Sequence, residues 1–270
     1  MSGLPIDPIL AWNSLPALLK GLTTTLSLTI VVMVLSLALA VPVTWARMSP
    51  RRFLSWSAAM FVVFFRGAPV LILLYLVYYG FGQIESLREG PLWLLFGSAF
   101  SCAVIGLTLN HTAYLVEIAR GSLLAVPSGL VEASNSLGLT PRETMVWIRL
   151  PLALRYGLKA YQNEVIMFAK GTAVVSVITV TDLTAQANEI FEVTYDPMTP
   201  MITAAMLYWA MINVMRIGFA RLECYLNRHN EPREASPTAV IATVAAAAQA
   251  GFAERPVAVR AESGRGERLR

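Results

Sequence analysis

The sequence predicts an all-α integral membrane protein with five transmembrane helices, and three observations carry that prediction. First, 56% of its 270 residues are apolar and only 14% charged, with a mean hydropathy of +0.59. A soluble domain carries about 45–50% apolar and about 25% charged residues. Second, the apolar residues gather into charge-poor runs. Crossing a hydrocarbon core of about 30 Å takes about 20 residues at about 1.5 Å each, and the runs reach that length. Third, arginine is concentrated in alternate links between the runs. This composition excludes an ordinary soluble enzyme and a disordered chain. The net charge of +4 does not imply nucleic acid, because phosphate binding needs clustered cations on one surface.

The spans are expected at about 22–46, 53–82, 91–116, 156–180 and 197–220. The first carries no charge before its end and the second only Arg66. The third is uncharged apart from His111, and the fifth opens on a charge-free run. The fourth is impure, holding Lys159, Glu164 and Lys170 among apolar neighbours. It still reads as a full span, since charges at membrane depth face a bundle interior or a wet cavity. Pro5, Asp7, Pro8 and Pro16 interrupt the first twenty residues, so no cleavable leader is expected there. The tyrosines Tyr75, Tyr78 and Tyr79, with Phe81, suit an interfacial belt at the outer surface.

Orientation follows from where arginine falls. The first link carries Arg47, Arg51 and Arg52, the third Arg120, Arg142, Arg149 and Arg155, and the C-terminal tail Arg221, Arg228, Arg233 and others. The second link has Arg88 between Glu85 and Glu89, and the fourth has Asp182, Glu189, Glu192 and Asp196 without a cation. With an odd number of spans, the N-terminus lies outside and the C-terminus in the cytoplasm. Residues 1–230 form the membrane domain, and 231–270, rich in Pro, Ala, Glu and Arg, read as a disordered cytoplasmic tail. Cys102 and Cys224 lie far apart in apolar surroundings and read as inert buried thiols, with no metal site or disulfide.

The long third link, about 127–151, is structured by its own punctuation. Ser128 is placed to cap a short helix through Leu137, and Gly138 to stop it. Thr140-Pro141-Arg142-Glu143 then makes a capping box with proline at the first helical position. The expectation is a helix–turn–helix outside the bilayer on the cytoplasmic side.

Within that link, Glu132-Ala133-Ser134, three residues, Gly138, nine residues and Ile148-Arg149-Leu150-Pro151 resemble the EAA loop of bacterial ATP-binding-cassette importer permeases. Ser134 for the second alanine is the one departure. Phe65-Arg66-Gly67-Ala68-Pro69, Ala113-Tyr114 through Glu117 to Arg120-Gly121, and Asn163-Glu164-Val165-Ile166 resemble segments of the polar-amino-acid branch of that family, which takes in histidine, glutamine, arginine and opine systems. Ala68 departs from that branch's threonine. The resemblance covers residues 10 to 230.

The resemblance implies a permease that pairs with a second permease subunit, homo- or heteromeric, against an ATPase dimer, with an extracytoplasmic solute-binding protein delivering the ligand. It implies the bacterial inner membrane, and coupling to the ATPase through Glu132, Ala133, Ser134, Gly138, Ile148, Leu150 and Pro151. The chain has no phosphate-binding G-x-x-x-x-G-K-[ST] loop. It is therefore expected to be a transport subunit and not an enzyme, with no cofactor of its own and with ATP and Mg bound by the partner ATPase.

The substrate path is assigned to Glu164, Asn163, Gly171 and Glu117. Glu164 and Gly171 are seven residues apart, close to two helical turns, and share a face. Some family members that carry basic amino acids place a second acid where Gly171 stands, so this chain offers less negative charge. Each residue has a structural alternative. Glu164 can pair with Lys170 of a neighbouring helix, Glu117 with Arg120 on the next turn, Arg66 can snorkel or brace, and His111 can belong to a packing cluster with Asn110 and Thr112. A membrane enzyme is the rival class, but His111 and His229 supply no nucleophile–base or metal set. A non-transporting scaffold that recruits an ATPase, or a permease for another solute such as methionine or a quaternary amine, are the remaining readings.

Overall fold

The computed structural model describes residues 6–91 and 93–227, and the tail expected at 231–270 lies outside them. Helices are the only regular structure among the described residues. In chain order they are α1 (Pro8–Arg47), α2 (Arg52–Gly67), α3 (Val70–Tyr75, continued by a π-helical turn, Leu76–Gly80), α4 (Glu85–Arg88) and α5 (Trp93–Phe96). Then come α6 (Ala99–Leu124), α7 (Ser128–Ser136), α8 (Pro141–Glu143, continued by a π-helical turn, Thr144–Arg149) and α9 (Leu150–Gly171, continued by a 3₁₀ stretch, Thr172–Ile178). The last are α10 (Leu183–Thr194) and α11 (Met198–Asn227). Helices α1, α6 and α11 are each long and apolar enough to cross a membrane, and counting each of two bent pairs as one span brings the total to five.

Both bent pairs correct the sequence expectation. The run 53–82 is two helices, α2 and α3, at 103° to one another. The break falls at Gly67-Ala68-Pro69. Proline disfavours a helical residue before it and lacks the N–H that would continue the ladder, so α2 ends and Pro69 caps α3. In the second pair, Pro141–Ile178 meets α10 at 50°. Thr179 sits in the left-handed region (φ 65°), which no α-helix can pass through. The acidic link expected after the fourth span is therefore mostly helix α10.

Boundaries also differ. Helix α1 runs 40 residues, roughly 60 Å and about twice the hydrocarbon core, because Asp7 and Pro8 start a helix rather than interrupt one. The Asp7 carboxylate accepts from the N–H groups of Ile9 (2.9 Å) and Leu10 (3.3 Å), and Pro8 fills the first helical position. Helix α6 lies some eight residues later than the third expected span. In the long link, Pro127 and not Ser128 is the cap residue of α7, and Ser128 makes no capping bond. The second helix of that link is also no separate element. It runs through the π turn into α9 as one helical stretch, Pro141–Ile178. Pro151 explains the widened turn: it has no N–H for the carbonyl one turn back, so the ladder is interrupted there.

The bundle packs around α6 and α1. Leu28 and Val32 of α1, Leu74 of α3, Ala103 and Leu107 of α6, Phe168 of α9, and Val175 and Ile178 of the 3₁₀ stretch form one buried cluster. A second joins Leu18, Leu183, Ala187 and Ala204, which seats α10 between α1 and α11. A third, Ala40, Val62, Leu115 and Val116, lies toward the far end of α1. Gly21 permits the α1–α10 contact: a Cβ there would stand 2.7 Å from the Asp182 carbonyl oxygen and 2.8 Å from Leu183 Cα. Cys102 is buried as expected, whereas Cys224 is exposed on α11.

Candidate functional site

Two regions carry the residues singled out in the sequence, and one helical stretch joins them. The first is the loop. Helix α7 ends at Gly138, whose φ of +78° suits glycine because the left-handed conformation crowds any Cβ. Thr140 then forms the expected capping box: its Oγ1 accepts from the Glu143 N–H (3.3 Å), and the Glu143 carboxylate accepts from the Thr140 N–H (2.8 Å) and hydroxyl (2.7 Å). These bonds to Thr140 hold the Glu143 carboxyl below the usual carboxylate range.

The outward surface of α7 carries Glu132 and Ala133, together with Leu130 and Leu137. Ser134 points the other way. It is 3% exposed; its hydroxyl donates to the Val131 carbonyl (2.7 Å) and lies 3.1 Å from Thr144 Oγ1. Ile148 and Arg149 lie in the π turn, and Leu150 and Pro151 open α9. Arg149 Nη2 reaches the Leu123 carbonyl at 3.5 Å, a long contact that brings this turn against the end of α6.

The second region lies on α9 and its contact with α6. On α9, Asn163, Met167, Lys170 and Gly171 are exposed, while Val165, Phe168 and Ala169 are buried. Glu164 sits at the margin between these faces, with its side chain 21% exposed. A Cβ on Gly171 would meet nothing within 4 Å, so the face beyond Glu164 is open. The partner of Glu164 is not Lys170 but His111 of α6: Nδ1 and Oε1 are 3.5 Å apart. That separation is within ion-pair reach, but the ring is not aligned for a hydrogen bond, and neither ring nitrogen has another partner. The His111 ring packs on Phe168 with centroids 4.5 Å apart.

Glu117 is engaged elsewhere. Its Oε2 accepts from Arg120 Nε (2.9 Å) and Nη2 (2.6 Å), and its Oε1 lies 3.6 Å from Arg47 Nε. This ties α6 to the end of α1. Arg66 stands over the Tyr114 ring, 5.0 Å from its centroid. Asn110 Nδ2 donates to the Phe65 carbonyl at 2.6 Å, one of the last carbonyls of α2, left open where proline ends the helix. The segment 65–69 and the segment around 113–121 thus meet at the α2–α3 break.

Sequence reasoning passed over three groups. Asp182, fully buried, caps α10 by accepting from the Ala185 N–H (2.8 Å) and also accepts from the Tyr208 hydroxyl (3.2 Å). Thr25 accepts from the Leu183 N–H at 3.1 Å. Asp7 and Asp196 are joined through Thr199, whose Oγ1 accepts from the Asp7 N–H (3.0 Å) and donates to Asp196 Oδ2 (2.6 Å). The Asp-x-x or Asp-Pro spacing before each helix was the available signal.

Residues 33–224 match the family described as binding-protein-dependent transport system inner membrane component. Among similar proteins, the octopine transport system permease protein OccM of Rhizobium meliloti is 34% identical over 82% of this chain and 90% of its own length. The nopaline transport system permease protein NocM of Agrobacterium fabrum is 34% identical over 84% of this chain and 95% of its own. A solved amino acid ABC transporter, crystallised with histidines, aligns with a TM-score of 0.72 and 31% identity over 81% of this chain and 98% of that one.

Proposed function

Because the chain belongs to the family of inner membrane components of binding-protein-dependent transport systems, and so is a transport subunit and not an enzyme, we propose that it is the permease of an ATP-driven importer for polar amino acids or amino-acid derivatives, opines included. In this reading it is a multi-pass protein of the bacterial inner membrane with five spans, its N-terminus outside and its C-terminus in the cytoplasm. It works with a second permease subunit, an ATPase dimer that binds ATP and Mg, and an extracytoplasmic solute-binding protein.

The observation that carries the reading is the continuity of one helical stretch. Pro141–Ile178 begins in the loop, holds Ile148, Leu150 and Pro151, and then presents Asn163, Glu164 and Gly171. Beyond the π turn, α9 is a regular helix rising about 1.5 Å per residue, so a displacement of its start at Leu150 is carried to Glu164, about 21 Å further along. This suits alternating access, in which closure of the ATPase pair against Glu132 and Ala133 reorients the spans. The names of the similar permeases, for octopine and nopaline, support the amino-acid-derivative class. Glu164 supplies an acceptor for an α-ammonium or cationic side chain, and open space at Gly171 leaves room for a bulky ligand. Glu117, already engaged by two arginines, is left out of the path.

Uptake in cells carrying this permease with its ATPase and binding protein tests the reading. Labelled L-arginine, L-glutamine and octopine should be taken up and should compete with one another. Methionine or choline entering while all three are ignored would replace it with another solute class.

A further inference from the structure

We propose that His111 is a positioning residue for the Glu164 carboxylate, holding it at the edge of the open α9 face and thereby setting the permease's affinity for a cationic or ammonium-bearing ligand. The proposal rests on the amino-acid reading above for the ligand, but its geometry does not.

His111 is the buried imidazole of the bundle, 1% exposed. Taking a polar ring out of water is unfavourable unless its nitrogens find partners. Of its α6 neighbours, Asn110 donates to the Phe65 carbonyl and Tyr114 lies under Arg66, while the buried hydroxyls of Thr108 and Thr112 lack partners as well. His111 has only Glu164, 3.5 Å away on another helix. Phe168, one turn beyond Glu164 on α9, packs on the imidazole face. The ring is thereby confined to the α6–α9 seam, with Nδ1 3.5 Å from Oε1 but not aligned with it.

A small rotation of the ring together with a shift of about half an ångström brings that pair into normal hydrogen-bond geometry. A carboxylate in a low-dielectric bundle needs such a donor. In that geometry the donor would occupy one oxygen and restrain the side chain, while Oε2 has neither hydrogen bond nor ion pair among the described residues. A half-satisfied carboxylate beside open space is suited to a ligand ammonium or guanidinium group, and fixing it beforehand spares the ligand that ordering. Glu164 alone, on a long side chain at the margin of α9, would explore several rotamers. Lys159 and Lys170 are the other charged side chains on the exposed side of α9, and Lys159 is drawn off toward Glu223 of α11 at 3.3 Å.

The sequence has only two histidines, His111 and His229, which permits a test that needs no ligand. In the full permease–ATPase complex with ¹⁵N-histidine confined to the permease, and with His229→Gln used for assignment, Glu164→Gln should move the His111 ring resonances. Unmoved His111 resonances overturn the proposal whatever the substrate. The second arm measures binding of labelled L-arginine and octopine to the same complex. His111→Phe, which keeps the ring and removes its N–H, should weaken binding about tenfold, as expected for a lost hydrogen bond to a charged group. His111→Gln, which keeps a donor, should restore most of it. Adding His111→Phe to Glu164→Gln should weaken binding no further than Glu164→Gln alone, because the two act through one interaction. Additive losses, or wild-type binding by His111→Phe, overturn the proposal. If the ring resonances move but neither probe binds the wild-type complex, the substrate reading falls and the positioning of Glu164 by His111 stands.

Discussion

Ser134 of α7 lies with its hydroxyl 3.1 Å from that of Thr144, so the residue that departs from the Glu-Ala-Ala pattern is turned into the loop and bonded to the start of the helical stretch that leads to Glu164. A small residue at this position fits because it is 3% exposed, with the loop packed against it. The hydroxyl adds a fastener where the family pattern has a methyl group. Ser134→Ala should therefore leave insertion and uptake close to wild type, while hydrogen exchange across residues 128–136 rises. Ser134→Leu, which has no space, should abolish uptake in protein that still reaches the membrane. Equal uptake by the alanine and leucine variants would contradict this placement.

Gly138 terminates α7 at φ +78°. Any side chain there incurs roughly 1–2 kcal/mol of backbone strain, relieved only by moving α7 relative to the stretch that begins at Pro141. Gly138→Val should reduce uptake at least tenfold with membrane abundance retained. Asn tolerates the left-handed region better, so Gly138→Asn should keep more uptake than Gly138→Val. Uptake assays normalised to protein in isolated membranes separate the two.

At the other end of the bundle, Gly21 lets α1 approach the Asp182–Leu183 backbone, where a Cβ would be 2.7 Å from a carbonyl oxygen. Backbone cannot yield as a flexible side chain can. Gly21→Val is predicted to lower the melting temperature of the purified protein by several degrees, in keeping with a loss of about 1–3 kcal/mol for overpacking. Gly171→Ala is the control: it meets open space and should melt within about a degree of wild type, since exposed positions without special geometry shift stability little.

Acid should loosen the start of α11. Chiefly through the Thr199 hydroxyl, and also through the N–H groups of Met198 and Thr199, hydrogen bonding holds the Asp196 carboxyl below the usual carboxylate range. A carboxyl depressed in the folded state contributes stability that is complete above its unfolded value and lost as pH falls through the folded one. The protection of the Met198 and Thr199 amides against hydrogen exchange, corrected for intrinsic rates, should therefore hold at neutral pH and decline below about pH 4. In Asp196→Asn that dependence should disappear. Identical profiles in the two proteins would remove Asp196 as the titrating group.

Much of this was legible in the sequence, and the remainder was hidden for identifiable reasons. The impure fourth span could be read because Lys159, Glu164 and Lys170 interrupt it without ending it, and the structure keeps them on or beside its exposed face. The capping box at Thr140–Glu143 and the turn at Gly138 were legible because both are short-range chemistry. The 103° break between α2 and α3 was not read from Gly67-Ala68-Pro69, since hydropathy continues across it. Hydropathy also hid the long start of α1, where Asp7 serves as a cap and not as an interruption. The His111–Glu164 pair depends on how α6 packs against α9, and no spacing along the chain reports a contact between residues so far apart. The structural alternative for Glu164 was a pair with Lys170; its neighbour is the His111 imidazole.

The central claim is that one helical stretch transmits ATP-driven motion from the loop to an amino-acid path. ATP-dependent accumulation of labelled octopine and L-arginine by proteoliposomes holding the permease, its ATPase and its binding protein tests it most directly, with Glu132→Lys and Glu164→Ala compared in parallel. The account predicts accumulation by the wild type that requires both ATP and the binding protein. It also predicts that Glu132→Lys abolishes accumulation with the complex still inserted, and that Glu164→Ala abolishes ligand stimulation of the ATPase. Wild-type accumulation by both variants, or no accumulation of either ligand by a complex that hydrolyses ATP, would contradict it.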